Sequence, residues 1–401
     1  MTLAKCWSHL LALLGNSPPK LNEIMSKEKR PSIPTKIKTN LWRASGGRCQ
    51  FNNCNTSLWI HSATMNQMNK SYIAHIYAFS EGGARYDKVK SPLLEKDFSN
   101  LMLVCDECHR TFDDKSKENE YPADSLIAMK KAHEDRIELQ TGIAPDMRSH
   151  VLLFGTRIGQ HTSPLQFYSA TQAILPNYYP SMPRPLEIGL QAALEDHNES
   201  YWRAEEENLL AHFRSEVEYL KGKHEVQHFS IFGLAPQPLL IKLGTLLSDL
   251  YHADVYQLHR EPTTWKWLEH EHDIEHRIVS ASNHSKVVAL KFELSAIITD
   301  DRIKNTLGEE CSIWSVNHDN PNNDYLKSRA HLQDFRSKAR KVFDQIKAQH
   351  GEDAIIHVFP AMPVSTAIEL GRIWMPKADL PMILYDQNKK NRGFFQTLKI
   401  E

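Results

Sequence analysis

The sequence predicts an α+β module followed by a larger α/β domain that consists of two tandem Rossmann-like halves. Two close cysteine pairs between residues 49 and 108 predict the module, because small modules often need a metal ion to hold their fold. A strand-turn-helix-strand pattern that occurs twice between residues 229 and 385 predicts the two halves. The segment IAPDMRSH reads as a linker between the two regions.

The bulk composition is typical of a soluble globular protein. The chain has 401 residues, of which 41% are hydrophobic and 24% are charged, so it is long enough for two or three domains with their own cores. No apolar run in the sequence approaches the roughly 20 residues that a membrane-spanning helix needs. We therefore expect a cytoplasmic protein.

Charge is distributed unevenly along the chain. Residues 1–150 hold 21 Lys and Arg against 17 Asp and Glu, whereas the remainder holds 27 against 32. The basic N-terminal part suits contact with a polyanion such as nucleic acid, although a solvated surface explains so small an excess equally well.

The expected domain boundaries follow these changes in composition. We expect a basic N-terminal arm or helix over residues 1–40, the cysteine-containing module over 41–142, the linker over 143–150 and the second domain over 151–401. The module should end in a helix, because apolar side chains recur at helical spacing. This stripe consists of Leu126, Met129, His133 and Ile137.

The second domain contains an internal repeat. The stretches IFGLAPQPLLIKLG (231–244) and VFPAMPVSTAIELG (358–371) align without gaps at an offset of 127 residues. Each reads as a buried strand, a proline-containing turn and a helix, and each is followed by another apolar strand. Such units predict parallel sheets, which bind ligands beyond the carboxyl ends of their strands. A pair of units would enclose one ligand between them; a duplicated scaffold without a pocket is the alternative.

Four cysteines have the spacing of a structural zinc site. Cys49 and Cys54 form one pair, and Cys105 and Cys108 form a second pair about fifty residues later. Cysteines of cytoplasmic proteins are more often metal ligands than disulfides, and four thiolates close a tetrahedral Zn²⁺ site. Chance pairing of buried cysteines is the alternative.

Further polar residues surround the cysteines, and the runs AHI, GG and NLMLVCDECH together resemble the HNH, or ββα-metal, nuclease family. The resemblance covers roughly residues 41–140. It implies that His75 is the general base that takes a proton from water, and that Asn100 fixes the loop holding this base. It also implies that His109, a further catalytic residue, binds a catalytic divalent cation, Mg²⁺ or another, together with Asp113.

Phosphodiester hydrolysis requires both an activated water and charge neutralisation at the leaving oxygen, which a base and one metal ion can supply. His109 and Asp113 have the i, i+4 spacing that places two ligands on one helical face. The sequence departs from the family at Ala74, where many members carry an Asp, Glu or His as a third ligand. Waters or a DNA phosphate would then complete the metal shell, as suits Mg²⁺.

Candidate ligand-binding residues lie where the strands of the second domain are expected to end. In HREPTTWKWLE, Trp265 and Trp267 flank Lys266, a pattern that suits stacking on a nucleobase and attraction of a phosphate. Arg157 lies on the FGTRIGQ turn, and Tyr168 follows it. Packing in the core is the alternative for each. The repeat turns add weaker candidates, chosen by topology alone: Pro236, Gln237, Met362 and Ser365.

The paired repeat turns and the WKW triplet resemble the SAVED domain, a fusion of two CARF-like halves that senses cyclic oligonucleotides, over about residues 150–401. An HNH module ahead of a SAVED domain resembles the effector nuclease of bacterial CBASS anti-phage systems. This resemblance implies a partner synthase that makes a cyclic di- or trinucleotide. It further implies that the ligand promotes homo-oligomer formation, so that paired modules cut double-stranded DNA with little sequence preference.

Two other functions stay open on the sequence. A restriction-type HNH endonuclease would recognise DNA through its C-terminal domain, yet that region is net acidic. A zinc-stabilised DNA-binding regulator without catalysis is compatible with Ala74.

The stretch HDIEH, residues 272–276, matches a zinc-peptidase pattern that requires a helix. The apolar residues that follow it predict extended structure instead.

Overall fold

The structure is a computed structural model, and it describes residues 32–61, 63–156, 165–189, 199–222, 228–268, 274–387 and 393–401. The chain folds as two compact units, Met1–Gly142 and Ile143–Glu401. Within the described ranges, no helix is both long enough and apolar enough to cross a membrane.

The first unit contains an antiparallel pair of strands followed directly by a helix. Its helices and strands in the described residues are α1 (Thr35–Ser45), β1 (Ser71–His75), α2 (Lys90–Leu93), β2 (Leu101–Cys105), α3 (Asp106–Phe112) and α4 (Ala123–Thr141). β1 pairs with β2 so that His75 lies opposite Leu101. The first four residues of β2 are buried, which makes this strand the centre of the unit. The assignment of the module to the HNH family stays a prediction.

Helix α1 crosses the boundary expected at residue 40, because its Leu41 is buried in the core of the first unit. The helix ends at Gly46, whose φ of 60° lies in the left-handed region that favours glycine. The helix predicted from the apolar stripe is α4, in which His133 is buried. The His133 ring lies 2.9 Å from the carbonyl oxygen of Ser45, so the two helices are joined by a hydrogen bond.

The second unit alternates strands and helices along the chain. Its described strands are β3 (Arg148–Gly155), β4 (Tyr179–Pro180), β5 (Leu186–Ile188), β6 (Phe229–Leu234), β7 (Ala253–Tyr256), β8 (His259–Arg260), β9 (Thr263–Thr264), β10 (Arg277–Val279), β11 (Val287–Glu293), β12 (Ser312–Asn317), β13 (Ile355–Ala361), β14 (Met382–Gln387) and β15 (Phe394–Ile400). Its described helices are α5 (Phe167–Ile174), α6 (Glu199–His212), α7 (Tyr219–Gly222), α8 (Gln237–Leu247), α9 (Asp300–Leu307), α10 (Arg329–His350) and α11 (Val364–Ile373), and residues Phe213–Glu218 form a π-helical turn between α6 and α7.

Two larger sheets organise the described part of the second unit. One has the strand order β4-β3-β6-β7, with β5 also paired to β3, and the other has the order β10-β12-β11-β13-β14-β15. The neighbours β3–β6, β6–β7, β11–β12, β11–β13 and β13–β14 are parallel. One apolar core includes side chains from both sheets and from α8, α10 and α11. The predicted α/β domain of two similar halves is therefore confirmed.

The two repeats form the same unit, β6-α8-β7 and β13-α11-β14, and their helices touch through glycine. A Cβ atom added to Gly244 would overlap the carbonyl oxygen of Ile368 and lie 2.9 Å from the backbone nitrogen of Arg372. A Cβ atom added to Gly371 would overlap the carbonyl oxygen of Ile241. Only glycine lets two helix backbones approach this closely.

The HDIEH stretch is described only from residue 274 onward, and its first two residues lie outside the described ranges. His276 is fully buried, with Nδ1 2.8 Å from a carboxylate oxygen of Asp334 and Nε2 3.0 Å from the hydroxyl of Tyr325. Both ring nitrogens are thus hydrogen-bonded within the fold. β10 begins at the next residue, as the predicted extended structure requires.

The replacement Gly371→Ala should destabilise the protein by about 2 kcal/mol, because overpacking at the helix crossing outweighs a gain in helix propensity of up to about 1 kcal/mol. Urea unfolding of the full chain, followed by circular dichroism, measures the change. Gly82→Ala is the control, since nothing lies within 4 Å of the added Cβ atom. Equal stability of the two variants would contradict a backbone contact between α8 and α11.

Candidate metal, catalytic and ligand sites

The four predicted zinc ligands converge in the first unit. The Sγ atoms of Cys49, Cys54, Cys105 and Cys108 all lie within 4.8 Å of one another. Thiolates about 2.3 Å from a tetrahedral Zn²⁺ lie about 3.8 Å apart, and the Sγ atoms of Cys54 and Cys105 are 3.8 Å apart. The donor set and its spacing therefore fit a structural zinc ion.

Local structure explains why these cysteines meet. The first pair follows the glycine turn after α1, Cys105 ends β2, and Cys108 lies in the first turn of α3. Burial raises the pKa of the Cys49 thiol to about 12. Burial also acts on Cys54, but its hydrogen bonds with Thr56, Cys108 and Cys49 together outweigh burial and lower the pKa of this thiol to about 7. A bound cation would stabilise all four groups as thiolates.

The predicted base, His75, ends β1 and is almost fully buried, with 5% of its surface exposed. Its Nε2 lies 2.8 Å from the carbonyl oxygen of Glu95. A carbonyl oxygen can only accept, so Nε2 carries the proton in this contact and the ring orientation is fixed.

Asn100 ties together the two segments that flank His75. Its side-chain oxygen accepts from the backbone nitrogen of Tyr77 at 2.7 Å, and its Nδ2 donates to the carbonyl oxygens of Tyr77 and Leu94 at 3.2 Å. Tyr77 lies just after His75, and Leu94 lies just before Glu95, whose carbonyl holds the ring. These hydrogen bonds join the two segments, and the role of Asn100 in catalysis stays a prediction.

The predicted metal ligands His109 and Asp113 lie at the end of α3. His109 lies in the helix, and Asp113 is the C-cap of the helix. Nε2 of His109 is 3.7 Å from Oδ2 of Asp113. The His109 ring stacks on Tyr72 of β1 with 5.1 Å between ring centroids. In the described residues, the four cysteines are the one group of three or more His, Cys, Asp and Glu side chains placed to hold a metal ion. The described residues therefore add no third side chain to His109 and Asp113, and binding of a catalytic cation by this pair stays a prediction.

Arg85 lies beside this pair and was not expected from the sequence. It is 5% exposed, and it donates from Nε to the carbonyl oxygen of Ile76 at 2.8 Å and from a terminal nitrogen to that of Phe112 at 2.6 Å. Its other terminal nitrogen is 3.8 Å from a carboxylate oxygen of Asp113. Burial lowers the pKa of Arg85, and the charge of Asp113 opposes this shift. Asp113 thus already has a protein cation beside it.

Ala74 occupies the position where a third ligand was expected. It is fully buried opposite Met102, and strand alternation places it on the same face of β1 as Tyr72. Since Tyr72 contacts His109, this is the strand face that the predicted metal ligand approaches. A carboxylate or imidazole at position 74 would therefore point toward the site, and alanine offers no donor atom.

The repeat turns meet where the two halves of the second unit join. Gln237 donates to the carbonyl oxygen of Met362 at 3.0 Å and accepts from its backbone nitrogen at 3.3 Å. Ser365 donates from its hydroxyl at 2.8 Å, and from its backbone nitrogen at 3.2 Å, to the side-chain oxygen of Gln257. Pro236 is buried with them. These contacts join the halves, and the ligand-binding role of the turns stays a prediction.

The other predicted ligand residues are dispersed. Trp265 is buried in the core, edge-on to Phe232. Lys266 is exposed, and Trp267 is half-buried against the ring of His259. Tyr168 lies in α5 with 74% of its surface exposed. The position of Arg157 lies outside the described residues.

Part of the second unit is similar to a known family of sensor domains. Two repeat-related α/β halves joined at their turns define a domain with internal pseudo-symmetry, and residues 209–400 match the SAVED family, the SMODS-associated and fused to various effectors sensor domain. Residues 209–400 are thus similar to SAVED sensor domains. The match begins within α6, so β3 and α5 lie upstream of the matched stretch.

Solved structures with some similarity include two receptors. The Acinetobacter baumannii Cap4 SAVED/CARF-domain containing receptor with the cyclic trinucleotide 2'3'3'-cAAA shares 11% identity, with a TM-score of 0.40, over 78% of this chain and 67% of that chain. The Moraxella osloensis Cap4 SAVED/CARF-domain containing receptor shares 9% identity, with a TM-score of 0.41, over 79% of this chain and 66% of that chain. No curated protein matches the chain.

The replacement Cys108→Ser should abolish zinc binding and destabilise the first unit, because three thiolates no longer close the tetrahedral site. Inductively coupled plasma mass spectrometry of the purified full chain measures the metal content. Cys311→Ser is the control, since Cys311 is a buried cysteine of the second unit. Zinc retained in Cys108→Ser, or absent from the unmodified protein, would contradict the assignment.

The replacement Asn100→Ala should cost about 1–3 kcal/mol, because it removes the partner of the Tyr77 N–H group in a buried region. Urea unfolding tests this, with the exposed Asn52→Ala as the matched control. If Asn100→Ala unfolds at the same urea concentration as the control, Asn100 does not hold the segments around His75.

Proposed function

We propose that the protein is an anti-phage effector, a metal-dependent DNA endonuclease that is switched on when its SAVED domain binds a cyclic di- or trinucleotide. One observation carries the proposal. A SAVED sensor domain over residues 209–400 follows a unit in which His75, Asn100 and His109 lie on a strand-strand-helix frame beside a four-cysteine cluster. A sensor domain controls an activity of the protein. We infer that this frame supplies the residues for phosphodiester hydrolysis.

In the proposed reaction, His75 takes a proton from the water that attacks the scissile phosphate. Because Nε2 donates to the Glu95 carbonyl oxygen, the basic nitrogen of the neutral ring is Nδ1. Asn100 acts as a positioning residue, since its amide holds the segments before and after this ring. The base is therefore oriented before the substrate arrives.

His109 and Asp113 would hold a divalent cation, Mg²⁺ or another, which supplies charge neutralisation at the leaving oxygen when bound. Two protein ligands suit an ion that keeps several waters and binds a substrate phosphate. The four cysteines would hold Zn²⁺ and fix the junction between β2 and α3, on which His109 depends.

Control by a second messenger would act through assembly. A partner synthase would make the cyclic nucleotide during infection, and its binding near the repeat turns would favour association of SAVED domains. A ligand shifts such an equilibrium only as far as it binds the associated state more tightly. Paired modules would then cut both strands of double-stranded DNA with low sequence specificity, and the uninfected cell would be spared.

A second function, DNA binding without catalysis, is favoured by one feature of the site. Ala74 supplies no ligand, and Arg85 already lies 3.8 Å from Asp113. A regulator of this kind would bind DNA and the cyclic nucleotide but cut nothing with any divalent cation. A restriction-type endonuclease, by contrast, would cut without a nucleotide.

The test is plasmid cleavage by the full chain with Mg²⁺ or Mn²⁺ and a panel of cyclic di- and trinucleotides that includes 2'3'3'-cAAA and 3'3'3'-cAAA. Cleavage should require one of the nucleotides. The variant His75→Ala should cut at least about 100-fold more slowly, because a general base contributes about 10²- to 10⁴-fold. Its stabilisation by the same nucleotide in a thermal-shift assay should be unchanged.

His61→Ala is the matched control, since His61 is also in the first unit and contacts Thr64 of its own turn. Full cleavage without any nucleotide would overturn the sensing half of the proposal. Nucleotide binding without cleavage under every metal condition would overturn the nuclease half and favour the regulator.

A further inference from the structure

A polar cavity of about 380 Å³ lies in the second unit. Its wall combines the first two turns of α10, the last turns of α11 and the residues that lead into β7. Three arginines line it, Arg329, Arg336 and Arg372, together with the indole of Trp267. This space is called the arginine cavity below.

The arginine cavity contains more guanidinium groups than carboxylates that pair with them. Arg329 pairs with Asp254 at 2.8 Å. The buried Glu369 pairs with both other arginines, with Arg372 at 2.8 Å and with Arg336. Three cations therefore contact two carboxylates, and one positive charge is left over within the wall.

The remaining carboxylate of the wall, Asp249, acts on Arg372 and offsets part of this charge, but it is exposed, so solvent screens its effect. Burial lowers the pKa of Arg336, and the charge of Arg372 lowers it further. Burial is the larger cause of this direction, and the repulsion between the two guanidinium groups adds to it. An anion in the cavity would relieve this repulsion.

Two N–H donors of the wall have no hydrogen-bond partner in the described part of the chain, Nε of Arg372 and Nε1 of Trp267. The Arg372 side chain is only 8% exposed. Buried polar groups are paired in the great majority of native structures, so an orphan group calls for a partner. Both orphan groups are donors, so an acceptor would satisfy them, and since both nitrogens are closed to solvent, a ligand reaches them only when a side chain of the wall shifts.

A purely structural role for Arg372 explains part of this arrangement. Its terminal nitrogens donate to the carbonyl oxygens of Ala253 and Tyr251 at 3.1 Å. These carbonyls lie at the start of β7 and just before it, and β7 is an edge strand of its sheet, whose unpaired backbone groups need covering. This structural role does not explain the unpartnered Nε of Arg372, the unpartnered N–H group of Trp267 or the surplus positive charge.

We propose that the arginine cavity binds a phosphate group, either free or carried by a nucleotide. Guanidinium groups present planar N–H donors that match phosphate oxygens. The volume lies within the range of small-molecule sites, about 300–1,000 Å³, so a nucleotide fits as well as the free ion. The half-buried indole of Trp267 offers a face for a base.

This site is distinct from the junction of the repeat turns. Ser365 and Arg372 are seven residues apart on α11, which is about 10 Å along the helix axis. The inference does not rest on the proposed function, because phosphate binding requires neither nuclease activity nor a cyclic ligand at the turns.

The test is isothermal titration calorimetry of the full chain with three probes: inorganic phosphate, AMP and 3'3'3'-cAAA. Saturable binding of at least one probe is expected. Arg336→Gln removes one guanidinium, and Trp267→Phe keeps the ring but removes the orphan N–H. Each should weaken binding about tenfold or more, as expected for the loss of one charge-assisted hydrogen bond.

Lys341→Gln is the matched control, since it removes an exposed cation of the same helix outside the cavity wall. Its affinity should equal that of the unmodified protein. Competition between inorganic phosphate and AMP would identify a free phosphate or a monoester as the ligand, whereas binding of the cyclic probe alone, weakened by both substitutions, would identify a phosphodiester.

Absence of saturable binding by all three probes would overturn the proposal, and so would equal affinity in Trp267→Phe and the unmodified protein. Trp267→Phe decides the outcome if Arg336→Gln fails to fold, as judged by its thermal unfolding.

Discussion

Where α8 and α11 cross, the helix backbones touch at Gly244 and Gly371 with no side chain between them. This contact sets how closely the two halves of the second unit approach. It also brings the first turns of both helices to one end, where Gln237 bonds to Met362 and Ser365 bonds to Gln257. The last turns lie at the opposite end, where Glu369 and Arg372 join the wall of the arginine cavity. One close approach thus determines the geometry of both places where a ligand could bind.

In the first unit, the short strand β2 positions the surrounding segments, as the helix contact does in the second unit. β2 begins directly after Asn100, ends at Cys105 and continues without a break into the helix that carries His109. The segment around the predicted base, the cysteine cluster and the predicted metal ligand are therefore all attached to one buried backbone segment. A shift of β2 would move all three together, which explains why its side chains are buried and why the cysteines clamp its end.

The sequence was informative wherever a pattern repeats or a spacing is fixed. The two copies of the strand-turn-helix unit, their glycines and the convergence of the four cysteines follow from such patterns. Gln257 and Arg85 could not be predicted in the same way, because each acts through partners far along the chain. Gln257 binds Ser365 across 108 residues, and Arg85 binds Phe112 across 27. Burial of this kind depends on tertiary packing, which no local pattern records.

The WKW triplet shows a second limit of prediction from the sequence. Trp265 and Trp267 look alike in the sequence, yet one is buried in the core and the other lines the arginine cavity. The triplet follows β9 outside any regular element, so neither strand nor helix periodicity fixes the direction of its side chains.

The guanidinium of Arg85 stands 3.8 Å from a carboxylate oxygen of Asp113. A divalent ion approaching this carboxylate must compete with a cation that is tethered to the same fold and cannot diffuse away. The charge of Asp113 is consequently already opposed by a charge of the protein itself. If His109 and Asp113 hold the proposed cation, its occupancy is set by the ion concentration in competition with this fixed charge, and the divalent ion level of the cell sets a threshold for the proposed reaction.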